Sequence, residues 1–486
     1  MPWQWQRWVA ARYPSGIRLP SRADRQHRQP SQVFRPTTSL VFPCQDPQGN
    51  PLTPQVKKGD EVKAGSVLAA GLNPDLFKVR AATNGTVIGQ NSQATEAGRT
   101  WQSNRGVGLA TGSSTALFRA ARIYSPVAGK VVDITFRPGR SGAFVPVIAI
   151  APSTEGEFEP TETLEDQPLG TRFELAAAYA GIDLTMFQNI QQLVVNGCDP
   201  DIGVFSRSSI LREKLADVGR GATALADRVG ARQAYLAITP GQLSSAELEF
   251  LKHDVAPLQL LLVPAGYPAG RPEKLAALVR GGKPARCHTA DTRQSRVLGP
   301  NPPAVHCLDG VTVVGVELVA ALGQALHQQR PPAEVMVSID GDAVARPGVY
   351  RVPTGTPLAD LLEFAGLDRN ALCLLVRGGH LAGQAVPLDD TTVATDDVGF
   401  LALTGDGLQG NGVGVCLHCG RCISACPAGL SPATIARHAR KSQWNEAALA
   451  GADRCFACGA CAYACPSRLP LVQLIQLAQL QIEAVK

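Results

Sequence analysis

No stretch of this 486-residue chain approaches the roughly 18 consecutive apolar residues that a bilayer-spanning helix requires. Any membrane role is therefore expected to be peripheral. The continuous apolar segment of a secretory signal is missing as well, so the expected compartment is the cytoplasm, where thiols stay reduced. Net positive charge is absent over most of the sequence. The formal net charge of +5 comes from residues 1–38, which hold seven Arg against one Asp, and the remainder sits near −1. With no basic patch in the body of the chain, nucleic-acid binding is not expected. The charged tail sets Trp3, Trp5 and Trp8 beside Arg7 and Arg12. That mix suits an anionic membrane surface, or else a disordered or partner-bound segment.

What the chain has is cysteine in a particular arrangement. Eight of its thirteen cysteines fall in two runs of the form CxxCxxCxxxCP, at Cys416, Cys419, Cys422, Cys426 and Pro427, and at Cys455, Cys458, Cys461, Cys465 and Pro466. Three thiolates two residues apart can point inward from one tight loop, and in paired runs the fourth ligates the other run's cluster. The spacing thus predicts Cys416, Cys419, Cys422 and Cys465 around one 4Fe-4S cluster. It assigns Cys455, Cys458, Cys461 and Cys426 to the second. Structural zinc also uses CxxC pairs, and disulfides need an oxidising compartment. Neither accounts for a third and a fourth Cys at fixed offsets followed by Pro, twice.

Gly420 and Gly459 suit a backbone wrapped closely around inorganic sulfide. His418 is either a solvated loop residue or a hydrogen-bond donor to a sulfur. The remaining five, Cys44, Cys198, Cys287, Cys307 and Cys373, are scattered singly, and most of them read as packing.

At this length there is room for about three domains. Val56 to Leu68 contains two short strands broken by Gly59-Asp60 and Ala64-Gly65 turns, a hairpin signature that echoes around Gly85 and again around Gly129. The pattern resembles the barrel-sandwich hybrid of biotinyl and lipoyl domains. Lys78 lacks the Met-Lys-Met setting of a modified lysine and is expected to stay unmodified. Residues 91–115 read as an inserted loop, and 151–170, rich in Pro, Glu and Thr, as a linker. Buried-strand runs at Gln192–Asn196, Ala234–Ile238, Leu258–Val263 and Val311–Val316 then alternate with helices, implying an α/β domain with a largely parallel sheet. Glu334 to Thr404 fits a small β-grasp-like module. Leu469 to Lys486, with Gln473, Gln476, Gln479 and Gln481 among Leu and Ile, reads as an amphipathic helix covering the cluster domain.

From about Val56 onward this succession resembles the C subunit of Rnf-type ion-translocating electron transport complexes. The resemblance is carried by the two cysteine runs and by the segments at Ser125–Val131, Val195–Pro200, Tyr267–Gly270, Asp340–Val344, Gly378–Gly383 and Cys465–Pro470. It implies a fold class of multidomain α/β and α+β. A basic Trp/Arg tail (1–38) would precede a barrel-sandwich hybrid (39–155) and an α/β nucleotide-binding-like domain (156–330). A β-grasp module (331–405) and a ferredoxin-like α-helical domain with two 4Fe-4S clusters (406–486) would follow.

The resemblance also implies a peripheral subunit on the cytoplasmic face of the plasma membrane. Such a subunit works with other subunits of the complex, takes electrons from NADH through FMN and passes them toward ferredoxin. One departure stands out. The family's α/β domain carries a GxGGAGFP loop whose N–H groups would cradle phosphate, and here Tyr179–Phe187 holds the single Gly181. The acidic E-C-E-P element that follows is reduced to Cys198-Asp199-Pro200. A surviving nucleotide or flavin site would involve Gly181, Asn196 and Asp199. Two other functions compete, a soluble flavin and iron–sulfur reductase of the cobalamin-reducing type and a cluster-bearing adaptor without NADH activity.

Overall fold

The computed structural model describes residues 30–36, 38–45, 51–71, 122–139, 144–153, 169–182, 184, 187, 190–254, 258–264, 266–281, 305–308, 310–328, 332, 334–405 and 413–485. Lys78, the expected insertion at 91–115, Cys287, most of the expected linker and the Trp/Arg part of the tail lie outside them.

The first module stacks a four-stranded sheet on a three-stranded one. The larger runs Leu40–Pro43, Phe144–Pro152, Gly129–Pro138, Glu61–Val62, and the smaller Thr53–Pro54, Val67–Ala70, Arg122–Tyr124. Leu40, Phe42, Leu68, Val131, Ile148 and Ile150 fill the space between them. The two turns expected from the sequence are built as such. Gly59 and Gly65 take φ of +96° and +94°, while the Asp60 carboxylate accepts the Lys57 N–H at 2.8 Å and the Ser66 hydroxyl accepts the Lys63 N–H at 3.0 Å.

The second module is a five-stranded sheet in the order Leu258–Leu262, Gln233–Ile238, Gln192–Asn196, Val311–Gly315, Val305–Leu308. The first four strands are parallel, and Val305–Leu308 adds an antiparallel edge. Chain order runs outward from Gln192–Asn196 in one direction and returns to its other side at Val311–Gly315. The topological switch therefore falls between these two strands, where open α/β sheets form a crevice at their carboxyl ends. Helices Leu215–Val229 and Val316–Gln328 cover one face in backbone contact, for a Cβ on Gly221 would lie 2.0 Å from the Val319 carbonyl oxygen and one on Gly323 1.9 Å from that of Asp217.

The third module is a mixed six-stranded sheet in which the Glu334–Asp340 and Gly348–Pro353 hairpin is joined in parallel by Gly399–Thr404. Helix Leu358–Phe364 packs Leu358, Leu361 and Leu362 onto Val337, Tyr350 and Phe400. This is a β-grasp arrangement. Its outer edge is closed by Gln32–Val33, parallel to Tyr350–Arg351, a segment that the sequence groups with the basic tail.

The last module is helical. Helix Leu471–Val485 lies over Pro432–Arg440 and Trp444–Leu449, burying Ile475, Ala478 and Ile482 against Leu430, Ile435 and Ala447. Gln479, alone of its four glutamines, is fully buried, and its amide donates to the carbonyls of Ala452 at 2.9 Å and Cys455 at 2.7 Å. Among the described residues no helix is long and apolar enough to cross a membrane.

The close crossing in the second module gives a test. Gly323→Ala forces a methyl into the Asp217 carbonyl and should cost about 1–3 kcal/mol of stability. Thermal unfolding of the anaerobic holoprotein should show this as a lower midpoint with unchanged iron content.

Candidate functional site

The two cysteine runs share one backbone path. Each has a left-handed residue between its first two cysteines, His418 at φ +53° and Ala457 at +48°, and a second after the second Cys, Gly420 at +72° and Gly459 at +81°. Each has a third, three residues past the fourth Cys, Gly429 at +63° and Arg468 at +50°. Left-handed geometry costs a non-Gly residue roughly 1–2 kcal/mol, so its recurrence at His418, Ala457 and Arg468 marks a shape imposed by what the loop encloses. The path turns N–H groups toward sulfur. Ala457 N–H points at the Cys455 Sγ and Leu430 N–H at the Cys426 Sγ, both at 3.4 Å. Backbone N–H groups of Ala433, Ala460 and Ala462 likewise serve Cys422, Cys458 and Cys461.

Cys426 stands with Cys455, Cys458 and Cys461, close enough for each of those three thiols to feel its charge. Cys465 packs with Cys416 and Cys422. Cys419 is exposed. Among the described residues no three His, Cys, Asp or Glu side chains close on a single ion.

Burial pushes the Cys455 thiol up to about 12, and burial likewise raises Cys422, Cys458 and Cys461. Such thiols keep their protons at neutral pH until a metal displaces them, so cluster assembly releases protons here. On donor chemistry, loop shape and N–H supply, the eight cysteines fit two cubanes.

The runs differ in their surroundings. Around the first, Val415, Leu417 and Ile423 are 84%, 68% and 47% exposed. The second is enclosed. The Tyr267 hydroxyl donates to the Cys458 carbonyl at 2.5 Å, Phe456 and Leu381 pack on that pair, and a Cβ on Gly459 would lie 2.1 Å from the Leu381 carbonyl oxygen. Tyr267 belongs to the α/β module and Leu381 to the β-grasp, so both modules seat this loop.

Between these modules, at the topological switch, lies a cleft lined by Asn196, Asp201, Arg207, Arg271, Glu317 and Gly379. Its polar groups mostly hold the walls together. Arg207 and Glu317 form a two-pronged ion pair at 3.0 and 2.8 Å, nearly buried on both sides. The Asp201 carboxylate reaches across the modules to accept the N–H groups of Ala382 at 2.8 Å and Leu381 at 3.1 Å. Burial raises its pKa against these hydrogen bonds.

Of the residues expected from the sequence, Asn196 lines the cleft, but its amide donates to the Gly270 carbonyl at 2.7 Å and its oxygen accepts the Cys198 N–H at 3.2 Å. Asp199 accepts the Ser208 N–H at 3.0 Å and the Ser208 hydroxyl at the start of helix Ser206–Glu213. Gly181, at φ +74°, abuts Thr395, next to the cleft residue Asp396. Sequence reasoning passed over Asp201, Arg207, Arg271 and Glu317. Asp201 and Arg271 directly follow the family-like segments Val195–Pro200 and Tyr267–Gly270, while nothing local marks Arg207 or Glu317.

A dicluster iron–sulfur electron carrier, mounted on an α/β and β-grasp scaffold, is the class that this site and fold define. Comparison with known proteins narrows it. Residues 11–107 match the RnfC barrel sandwich hybrid domain, 336–366 the SLBB domain and 415–469 the 4Fe-4S dicluster domain. The C subunit of the ion-translocating oxidoreductase complex of Rhodobacter capsulatus is 29% identical across 74% of this chain and 70% of its own. Its equivalent in the Na(+)-translocating ferredoxin:NAD(+) oxidoreductase complex of Acetobacterium woodii is 23% identical across 97% of both. The proton-translocating counterpart of Clostridium ljungdahlii is 23% identical over 86% of this chain and 80% of its own. The chain belongs to the RnfC family, the C subunits of ion-translocating oxidoreductase complexes.

Asp199 supplies a pH test. Burial, only partly offset by the Ser208 hydrogen bonds, pushes its carboxyl up to about 6, above the ~3.9 of an unfolded chain. Its folded form holds a proton that the unfolded form has lost, so its contribution to stability is complete below about pH 4 and is lost as pH rises through 6. Relative to Asp199→Asn, wild type should therefore lose about 1 kcal/mol between pH 5 and 7.5. Paired thermal melts of the two holoproteins at both pH values read this directly.

Proposed function

We propose that this chain relays electrons, one at a time, between partners of an ion-translocating ferredoxin:NAD oxidoreductase complex at the cytoplasmic face of the membrane. Cys416, Cys419, Cys422 and Cys465 hold the outer 4Fe-4S cluster, and Cys455, Cys458, Cys461 and Cys426 the inner. The clusters supply the one-electron chemistry, over a range of potentials set by burial and hydrogen bonding. The protein supplies their spacing, shielding and orientation. The observation that carries the reading is the unequal exposure of the two runs. One is sealed against the interdomain cleft and the other opens to solvent among apolar side chains, as suits a conduit with an internal and an external terminus.

FMN has no role in this reading. The single Gly181 leaves no glycine cradle for a phosphate, and Asn196 and Asp199 commit their polar atoms to the protein's own backbone. Electrons would then enter from another subunit, with NADH and ferredoxin as indirect partners. These same observations favour a relay or adaptor over a cobalamin-reducing type of flavin enzyme.

Anaerobically purified protein should carry about eight iron and eight sulfide per chain, no extractable flavin, and clusters that NADH alone leaves oxidised. Cys465→Ser and Cys416→Ser should leave one and the same residual EPR spectrum, and Cys426→Ser and Cys458→Ser the other. Identical spectra from Cys465→Ser and Cys458→Ser would overturn the crosswise ligation, and flavin with NADH-reducible clusters would overturn the relay.

A further inference from the structure

Arg271 is buried to 8% exposure at the N-terminus of helix Pro272–Val279, on the wall shared by the cleft and the second cysteine run. Among the described residues its Nη2 has no hydrogen-bond partner, a costly state for a buried guanidinium unless something else answers its charge. Its neighbours are informative. It hydrogen-bonds to Tyr267, whose hydroxyl in turn holds the Cys458 carbonyl, and its charge is felt at both Cys455 and Cys458. The acidic groups facing it are Asp201, which is engaged with the N–H groups of Ile202, Leu381 and Ala382, and Glu273 on its own helix.

We propose that Arg271 is a positioning residue whose fixed positive charge raises the reduction potential of the cluster held by Cys455, Cys458, Cys461 and Cys426. A reduced cubane carries one more negative charge than an oxidised one. A buried cation whose charge reaches the ligating sulfurs lowers the energy of the reduced form, and burial protects the interaction from salt. The charge sits on the cleft wall beside the loop of Cys455 and Cys458. Arg271 thus makes the inner cluster easier to reduce than it would be without that charge. This inference rests on the relay reading above.

The test is redox titration of the full chain, followed by EPR, after iron analysis has counted the clusters. Arg271→Gln should shift the inner midpoint to more negative potential, with the ratio of reduced to oxidised cluster at the wild-type midpoint falling about tenfold or more, or about 59 mV for a one-electron couple. The outer midpoint should stay in place, the shift should persist in high salt, and Arg271→Lys should stay near wild type. A midpoint unmoved by Arg271→Gln, equal shifts in both clusters, or Arg271→Lys behaving like Arg271→Gln would overturn the proposal. If Arg271→Gln does not load iron, Arg271→Met, which fills similar volume without polar atoms, takes its place. Failure of both neutral variants to load, with Arg271→Lys loaded, supports the charge role, and failure of all three refutes it. A wild-type chain with fewer than two clusters would instead sink the relay reading itself.

Discussion

The two cysteine runs are arranged around one electrostatic problem, that of compensating negative charge gathered on sulfur. Four thiolates and an iron–sulfur core in a closed loop need compensation that a hydrophobic core cannot give. The solution is a backbone coiled so that its N–H groups converge on sulfur, with left-handed turns at matching positions in both runs. His418, Ala457 and Arg468 hold that shape without the freedom of glycine, so the enclosed group, rather than local preference, dictates the path.

The same problem explains the joint between modules. The enclosed run cannot shield itself, since its loop is short and its helix Ala460–Tyr463 a single turn. It borrows cover from two other modules, through the Tyr267 hydroxyl on one side and the Leu381 carbonyl on the other. Asp201 then ties those modules to each other by accepting the N–H groups of the very segment, Leu381–Ala382, that touches the cluster loop. The cleft walls and the inner cysteine run thus share their supports.

Much of this was legible beforehand. The spacing of the cysteines marked the two matching loops, and Gly59 and Gly65 announced the hairpin turns. Continuous β-branched and apolar runs located Gln192–Asn196 and Val311–Gly315, because a strand buried on both faces needs such runs. The edges were less legible. Val305–Leu308 is an antiparallel strand of half-buried His306 and Cys307, and Gln32–Val33 is two residues long. The roles of Tyr267, Asp201 and Arg271 were hidden for another reason. Asp201 meets Ala382 across 181 residues of chain and Tyr267 meets Cys458 across 191. Asn196 and Asp199 show the converse, polar residues at a sheet's carboxyl end that hold the protein's own turns.

The short strand at Gln32–Val33 has a mechanical consequence. Immediately before it, Ser31 gives its N–H and hydroxyl to Glu213 of the α/β module at 2.8 and 2.6 Å, and the strand itself zips onto the β-grasp edge. Ser31–Val33, which follow the arginine- and tryptophan-rich leader, are therefore held at a seam rather than on one module. Tension on that leader, from whatever surface or protein grips it, would be felt as shear between the two bodies that frame the cleft.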